Sequence, residues 1–379
     1  MTEKKKTEKS KVAAVECAAY SADALDMALD SAISAAGGWP EKIRGAGKVL
    51  LKPNLLTARP PEHAVTTHPE FLRAAIRALR KAGVEKISVG DSPAGSHPWN
   101  KLWEVTGTAS AAAAEGAELL PFENIKRVEL PSGETMPILK ELEDFDAVVS
   151  LPKLKTHILT KITAAVKNSY GLIPGKAKSM FHGKYQSPAA MGRFIAKSFG
   201  PVKPDFVLMD GVECMEGQGP ANGRPFALGL VFAGADAVAV DSAACRVYGY
   251  APSDIPLLET AAAVGHGVAD LDMIDLTGGG WDVAASKRPK RSTSDFLHRI
   301  PPGMFHVLTL ILACRPRISR KKCVKCGICA KVCSQDAISQ DAAGNYKVDW
   351  RKCVLCMCCI ESCPERAIEL RSLWTRWMK

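Results

Sequence analysis

Two runs of cysteine carry the most specific chemistry in this chain of 379 residues. Cys323, Cys326, Cys329 and Cys333 form the first, and Cys353, Cys356, Cys359 and Cys363 the second; together they are eight of the thirteen cysteines. Both read C-x2-C-x2-C-x3-C, a spacing whose thiolates hold a [4Fe–4S] cluster. Three sulfurs at i, i+3 and i+6 line a tight loop that can wrap one side of an iron–sulfur cube, and Gly327 leaves room there for backbone N–H groups to approach the sulfides. The runs lie thirty residues apart, and Ala337-Ile338 recurs as Ala367-Ile368 at the same offset, so two similar supersecondary units are expected. The chemistry is transfer of single electrons. Zinc fits a third cysteine three residues on and a fourth four residues later poorly. Disulfides would need an oxidising compartment, and no export is expected, because Met1-Thr2-Glu3-Lys4-Lys5-Lys6 leads into polar residues without an apolar run.

In each run the fourth cysteine lies just past the loop and is expected to open a helix and reach the other cluster. That assigns Cys323, Cys326, Cys329 and Cys363 to one cluster, and Cys353, Cys356, Cys359 and Cys333 to the second. On these ligands residues 318–371 resemble bacterial-type two-cluster ferredoxins. The two runs depart from each other after the fourth ligand: Pro364, suited to a helix start, follows Cys363, whereas Ser334 follows Cys333. Cys358 is surplus to the ligand count and reads as a bystander. Cys17, Cys214, Cys245 and Cys314 read as core or incidental, with Cys214, beside Glu213 in a glycine-rich stretch, the one to test for reactivity.

A second constellation is electrostatic. Residues 151–185 contain seven lysines, two histidines and no aspartate or glutamate. Lys153, Lys155, Lys161, Lys167 and Lys178 could neutralise an anionic substrate, and a lysine crowded by other cations can lose its proton near neutral pH. His157 and His182 are candidate proton donors, because reduction usually needs protons beside electrons. Lys153, Lys155, His157, Lys167, Asn168 and His182 are thus the candidate catalytic set. Lys52, Asn54, Asp91, Ser92, Lys161, Lys178 and Asp210 are candidates to hold the substrate, the two aspartates also to orient it or bind a divalent metal. Each lysine alone reads as a solvated charge; the set without acidic neighbours reads as a pocket. This segment supplies most of the net charge of +10, and its mixture with Tyr170, Gly171, Pro174 and Gly175 suits a pocket better than a phosphate-tracking stripe. No nucleic-acid partner is expected. Gly217-x-Gly219-x3-Gly223 lacks the dinucleotide spacing and Gly45-Ala46-Gly47-Lys48 precedes a strand, so no nicotinamide, flavin or ATP site is expected.

The elements that must position these groups alternate. Apolar or β-branched runs at 48–51, 86–89, 147–151, 205–209 and 228–232 are expected strands, and 22–36, 69–82, 236–248 and 255–264 expected helices. Ser21 and Thr67-His68-Pro69-Glu70 look like helix starts, Gly37 and Gly83 like stops. The fold class is α/β, a mostly parallel sheet covered by helices, followed by a small α+β two-cluster ferredoxin-like domain. Polar residues follow four strand ends: Lys52-Pro53-Asn54, Asp91-Ser92, Lys153-Leu154-Lys155-Thr156-His157 and Asp210-Gly211. In an open parallel sheet such ends share one edge, where ligands bind. The expected organisation is a disordered basic tail (1–10), the α/β domain (11–280), a linker with an apolar packing helix (281–314), the ferredoxin domain (315–371) and a C-terminal tail (372–379). The longest apolar run, 304–314, is too short to span a bilayer. No membrane span is expected, and the cytoplasm is the expected location.

The motifs of residues 11–280 also carry a resemblance. Leu51-Lys52-Pro53-Asn54, Thr66-Thr67-His68-Pro69, Gly90-Asp91-Ser92-Pro93, Leu151-Pro152-Lys153-Leu154-Lys155-Thr156-His157, Val166-Lys167-Asn168, Tyr170-Gly171, Pro174-Gly175, Gly219-Pro220 with Gly223, and Asp236-Ala237-Val238-Ala239-Val240-Asp241 follow one another as in the domain of unknown function 362 family. The resemblance implies architecture and candidate residues but no agreed reaction. Three functions remain open: an oxidoreductase that passes electrons through two [4Fe–4S] clusters to an anionic substrate, a non-catalytic electron carrier docking onto an enzyme, and a redox sensor. An external electron donor or acceptor protein is the expected partner.

Overall fold

The computed structural model describes residues 9–95, 97–175, 177–304, 307–308 and 315–371. The expected packing helix at 304–314 and both tails fall largely outside the described residues. One ten-stranded sheet organises the α/β domain. Its strands are β1 (Ser10–Glu16), β2 (Lys48–Pro53), β3 (Lys86–Val89) and β4 (Glu118–Leu119), and, beyond a separate hairpin of β5 (Ile125–Glu129) and β6 (Thr135–Leu139), β7 (Ala147–Leu151), β8 (Lys153–His157), β9 (Lys161–Thr163), β10 (Phe206–Glu216), β11 (Arg224–Gly234) and β12 (Ile274–Thr277). The order is β12-β1-β11-β10-β7-β2-β3-β4, with β8 branching from β10 and pairing with β9. Along that order only β11 runs against its neighbours.

Strand pleating sends successive side chains to opposite faces. Val49 and Leu51 join one buried cluster and Leu50 the other; Phe206 and Leu208 alternate in the same way with Val207 and Met209. Both faces are therefore covered, which explains the nearly continuous apolar strands. The helices Ala22–Ala35 and Pro69–Lys81 pack on one face and Ala237–Ala244 and Pro256–Ala263 on the other. His68 caps the second helix, its ring accepting from the Glu70 N–H at 3.2 Å, and Gly37 and Gly83 end the first two helices at φ +98° and +84°.

Three stretches differ from expectation. Lys153-Leu154-Lys155-Thr156-His157 forms a fully buried strand, not a polar loop, because groups distant in sequence satisfy its lysines: Asp210 pairs with Lys153, and Asn54 Oδ1 and Val65 O accept from Lys155. The supposed linker folds as the helix Trp281–Ser286 and the 3-10 turn Thr293–Arg299, where Trp281, Ala284 and Leu297 anchor an otherwise charged segment. The glycine-rich stretch at 213–224 is also shorter than expected, since β10 and β11 leave only residues 217–223 between them.

The C-terminal unit pairs β13 (Arg315–Ile318) with β16 (Ile368–Arg371) and β14 (Ile338–Gln340) with β15 (Tyr346–Val348), both antiparallel. The helical turns Ile328–Val332 and Cys358–Ser362 follow the cysteine loops. Cys333 and Cys363 close these turns and do not open helices as expected. Their backbones match, φ/ψ −72°/108° and −76°/112°, so exchanging Ser334 for Pro364 leaves the chain path unchanged.

The two units share a partly apolar seam. Ile158 and Leu159, just after β8, and Leu297 enter the apolar cluster of the ferredoxin unit. Arg59, only 1 % exposed, donates to the carbonyls of Ala221 and, at 2.5 Å, Cys363. Asn222 Nδ2 donates to Ile368 O at 2.9 Å. A Cβ on Gly183 would fall 2.8 Å from Ser334 Oγ, so the helix Ala177–Lys184 meets the first cysteine run too closely for a side chain there.

Candidate functional site

At this seam lies a cavity of about 140 Å3. The α/β domain contributes Lys155 and His157 from β8, Lys167 from the helix Ala165–Ser169, and Lys178 and His182 from the helix Ala177–Lys184. The ferredoxin unit contributes Lys331, Val332, Cys358 and Glu361. Asp241 holds the short Lys167 helix in place by accepting from the N–H groups of Ala165 (2.6 Å) and Val166 (2.9 Å). Burial raises the Asp241 carboxyl to about 7, against the pull of those two N–H groups.

Behind the cavity wall, Lys52 forms a buried ion pair with Asp91 at 2.8 Å, and its ammonium also reaches Pro53 O and Asn168 Oδ1, both at 3.0 Å. Gly171 makes this possible, since a Cβ there would sit 2.0 Å from Asp91 Oδ1 and 2.7 Å from Lys52 Nζ. Asn168 spends its hydrogen bonds internally, accepting from Lys52 and Asn54 and donating to Lys52 O and Ser150 Oγ. It is a positioning residue. Asn54 in turn accepts from Lys155 Nζ at 2.6 Å, which also donates to Val65 O at 2.5 Å and keeps one N–H free. Lys178 uses its donors on Ser92 O, Ser92 Oγ and Pro93 O, and burial lowers it to about 7 despite Asp91.

Lys167 is different. Its Nζ lies 5.8 Å from the Tyr170 ring centre and, among the described residues, makes no hydrogen bond or ion pair. Burial lowers its pKa, while the Glu361 carboxylate favours its charged form. Burial would raise Glu361, but His157 and Lys167 overcome this and hold it well below the usual carboxylate range. His157 Nδ1 accepts from the N–H groups of Leu159 (3.0 Å) and Thr160 (3.3 Å), which places the proton of the neutral ring on Nε2. That Nε2 lies 3.3 Å from Glu361 Oε1, but neither atom has an aligned hydrogen bond. Burial, reinforced by Lys167, pushes His157 down to about 3; burial, opposed by Glu361, takes His182 to about 4. His182 hydrogen-bonds the backbone of Cys356, leaving its Nδ1 without a partner, and Thr163 Oγ1 on the same wall is also unpartnered.

Of the expected site residues, Lys153, Lys161 and Asp210, like Lys52, lie outside the cavity. Lys153 pairs with Asp210 at 2.8 Å and donates to the Tyr20 hydroxyl at 2.7 Å, so both charges tie β8, β10 and the Tyr20–His68 stack together. Lys161 lies 5.0 Å from the Tyr250 ring centre. Cys214 is fully buried and burial pushes its thiol up to about 12, which removes it as a reactive candidate. The acid-free appearance of the lysine segment also ends in three dimensions, where Asp91, Asp210 and Glu361 supply the missing charges.

Beside this site, Cys323, Cys326, Cys329 and Cys363 line a second cavity with Ile318, Gly327 and Tyr346. Cys353 has Cys356 and Cys333 as electrostatic neighbours, and Cys359 has all three together with Cys329. The twelve cysteines among the described residues are free thiols. Cys323, Cys326, Cys329 and Cys363 surround the second cavity, and among the described residues no three His, Cys, Asp or Glu side chains form a single-ion site. Four thiolates spread around a cavity fit a cubane, whose irons each take one sulfur. Ala337 and Ala367 donate backbone N–H groups to Cys333 Sγ and Cys363 Sγ, each at 3.3 Å, the kind of bond that tunes cluster potential.

Residues 49–246 match the family described as domain of unknown function (DUF362), just over half of the chain. The chain belongs to this family. Residues 316–339 and 346–369 each match the 4Fe-4S binding domain, so the protein holds two [4Fe–4S] clusters and transfers electrons. The thylakoid-associated protein sll1697 of Synechocystis sp. is 31% identical over 258 residues, covering 65% of this chain and 77% of that protein. Two solved structures are distantly similar. One is the lactate racemase apoprotein of Thermoanaerobacterium thermosaccharolyticum, at 14% identity and TM-score 0.37, covering 55% of this chain and 52% of that one. The other is a structural-genomics protein of Thermotoga maritima, at 16% identity and TM-score 0.37, covering 59% and 57%. The chain thus spans little more than half the length of either. No helix among the described residues is long and apolar enough to cross a membrane.

Proposed function

We propose that this protein is an iron–sulfur oxidoreductase that reduces a small anion held in the cavity between its two units. One observation carries the reading: the wall that holds the unpaired Lys167 ammonium also holds Cys358 and Glu361, from the turn between cluster ligands Cys356 and Cys363. When bound, the two clusters supply electrons one at a time. Cys323, Cys326, Cys329 and Cys363 are assigned to one and Cys353, Cys356, Cys359 and Cys333 to the other, which the shared cavity and electrostatic neighbours support.

The protein's own residues would bind and protonate. Lys52 cancels Asp91, and Lys155, Lys167 and Lys178 line the cavity against Glu361. Burial lowers all three, so an anion entering between them would restore their charged forms and be favoured in return. Lys167 and the free N–H of Lys155 would grip its negative group, with Thr163 Oγ1 as a further donor. The Nε2–H of His157, 3.3 Å from Glu361 Oε1, is the candidate proton for the bound anion. The space is close to that of an engineered cavity of about 150 Å3 that holds benzene, so the substrate is small.

The test is reoxidation of dithionite-reduced, anaerobically purified protein by a panel of small unsaturated and aromatic carboxylates, followed by cluster absorbance. At least one member should reoxidise the protein. Lys167→Ala should slow that step on the order of 100-fold, as expected for loss of about 3 kcal/mol of binding and positioning, with iron content and cluster EPR unchanged. If no carboxylate acts while a redox protein is reduced readily, the chain is a carrier and not an enzyme.

A further inference from the structure

The two cysteine loops face different surroundings. Residues 315–335 contain seven cations (Arg315, Arg317, Arg320, Lys321, Lys322, Lys325 and Lys331) and no acid, while the matching residues 345–365 contain three cations and three acids. Cys326 is solvent-exposed, and Val324 beside it is 61% exposed, the most open large apolar side chain of the ferredoxin unit among the described residues. Lys321 and Lys325 are exposed and, among the described residues, form no ion pair; Lys325 donates only to Ala343 O, at 3.1 Å. The cavity at the seam is lined by residues of the other loop and of the two helical turns, and by none of Cys323, Cys326 and Cys329.

We propose that the loop Cys323–Cys329 is the docking surface for an acidic one-electron carrier protein, and that electrons enter there and leave toward the cavity past the second loop. This rests on the proposed oxidoreductase reading and assigns its entrance. A bare apolar side chain beside an exposed ligand gives a short, dry contact, and unpaired cations around it steer an acidic partner into that contact. In each encounter the partner's reduced centre loses one electron and the chain gains one; no bond or proton moves.

The probe is an acidic flavodoxin-type protein, oxidised for binding by calorimetry and reduced for stopped-flow transfer into the anaerobic holoprotein. The double variant Lys321→Glu/Val324→Glu should weaken binding and slow transfer at least tenfold and flatten the salt dependence. Its reduction by dithionite and its cluster EPR should stay as in the unaltered protein. Lys352→Glu, at the position matching Lys322 in the second repeat, should change either readout less than twofold. Equal losses for Lys352→Glu, or unchanged binding and transfer in the double variant, would overturn the assignment. So would a double variant that loses binding to phosphatidylglycerol vesicles but keeps flavodoxin transfer, since the surface would then serve a membrane. Dithionite-driven reoxidation by carboxylates bypasses the entrance, so failure of the substrate reading shows up separately.

Discussion

The two halves of the ferredoxin unit share a backbone and have opposite environments. Lys325 and Leu355 occupy matching positions at φ +59° and +56°, yet one is exposed and the other buried. Gly327 and Met357 match at φ +78° and +63°. Glycine is required at 327, where a Cβ would lie 2.9 Å from the Tyr346 hydroxyl, whereas Met357 tolerates the left-handed backbone to fill the apolar seam. Ala330 matches Ile360 and Lys331 matches Glu361. The comparison teaches that the duplicated motif fixes ligand geometry while the residues between ligands decide which loop meets solvent and which meets the α/β domain.

Making one half resemble the other tests this directly. Glu361→Lys installs the residue of the first half beside Lys167, His157 and His182, adding a buried cation and removing the carboxylate that favours the charged form of Lys167. A cost of about 3–5 kcal/mol follows, read as a large fall in the guanidinium midpoint of anaerobic holoprotein. The reciprocal Lys331→Glu changes an exposed side chain and should stay within about 0.5 kcal/mol. Equal effects would mean that the halves are not differentiated as described. Next in size, Ile360→Ala copies Ala330 into the seam; Ile360 is 1% exposed, so about 2–4 kcal/mol should be lost. A loss below about 1 kcal/mol would show that the seam is loosely packed.

Much of this molecule was legible in its residues. Parallel strands at 86–89 and 147–151 and the helix from Pro69 have local signals, namely apolar runs bounded by capping and turn residues. The cavity residues Lys155, His157, Lys167, Lys178 and His182 stood out because an acid-free lysine segment is unusual. What the sequence concealed was long-range compensation. Lys153 reads like Lys155, but Asp210, fifty-seven residues away, makes it structural. β8 reads as a loop because the groups that satisfy its lysines, Asp210, Asn54 and the Val65 carbonyl, come from other segments. Cys358 reads as a bystander and Glu361 carries no signal, because the cysteine spacing says nothing of what the residues between ligands face. Those residues, thirty apart, hold both the charge reversal at 331 and 361 and the apolar gain at 355 and 357.

The seam itself supplies the smallest and most discriminating prediction. His298 Nε2 lies 3.0 Å from the carbonyl of Ile158, one of the residues buried against the ferredoxin unit. Burial, reinforced by Lys161, lowers His298 to about 4, so the folded protein keeps the ring neutral. Above pH 6.5 the ring is neutral folded or unfolded and contributes no pH dependence. Between pH 6.5 and about 4 the unfolded chain takes up a proton that the folded one refuses, so stability falls as pH falls. The full window amounts to at most about 3 kcal/mol for this one group. His298→Gln keeps a donor for the Ile158 carbonyl and removes the titration. Urea midpoints of holoprotein from pH 7.5 to 5.5 should therefore fall less steeply in His298→Gln than in the unaltered chain, by roughly 1 kcal/mol at the acid end. Parallel profiles would show that this side of the seam already opens enough at neutral pH for His298 to titrate as it does in water.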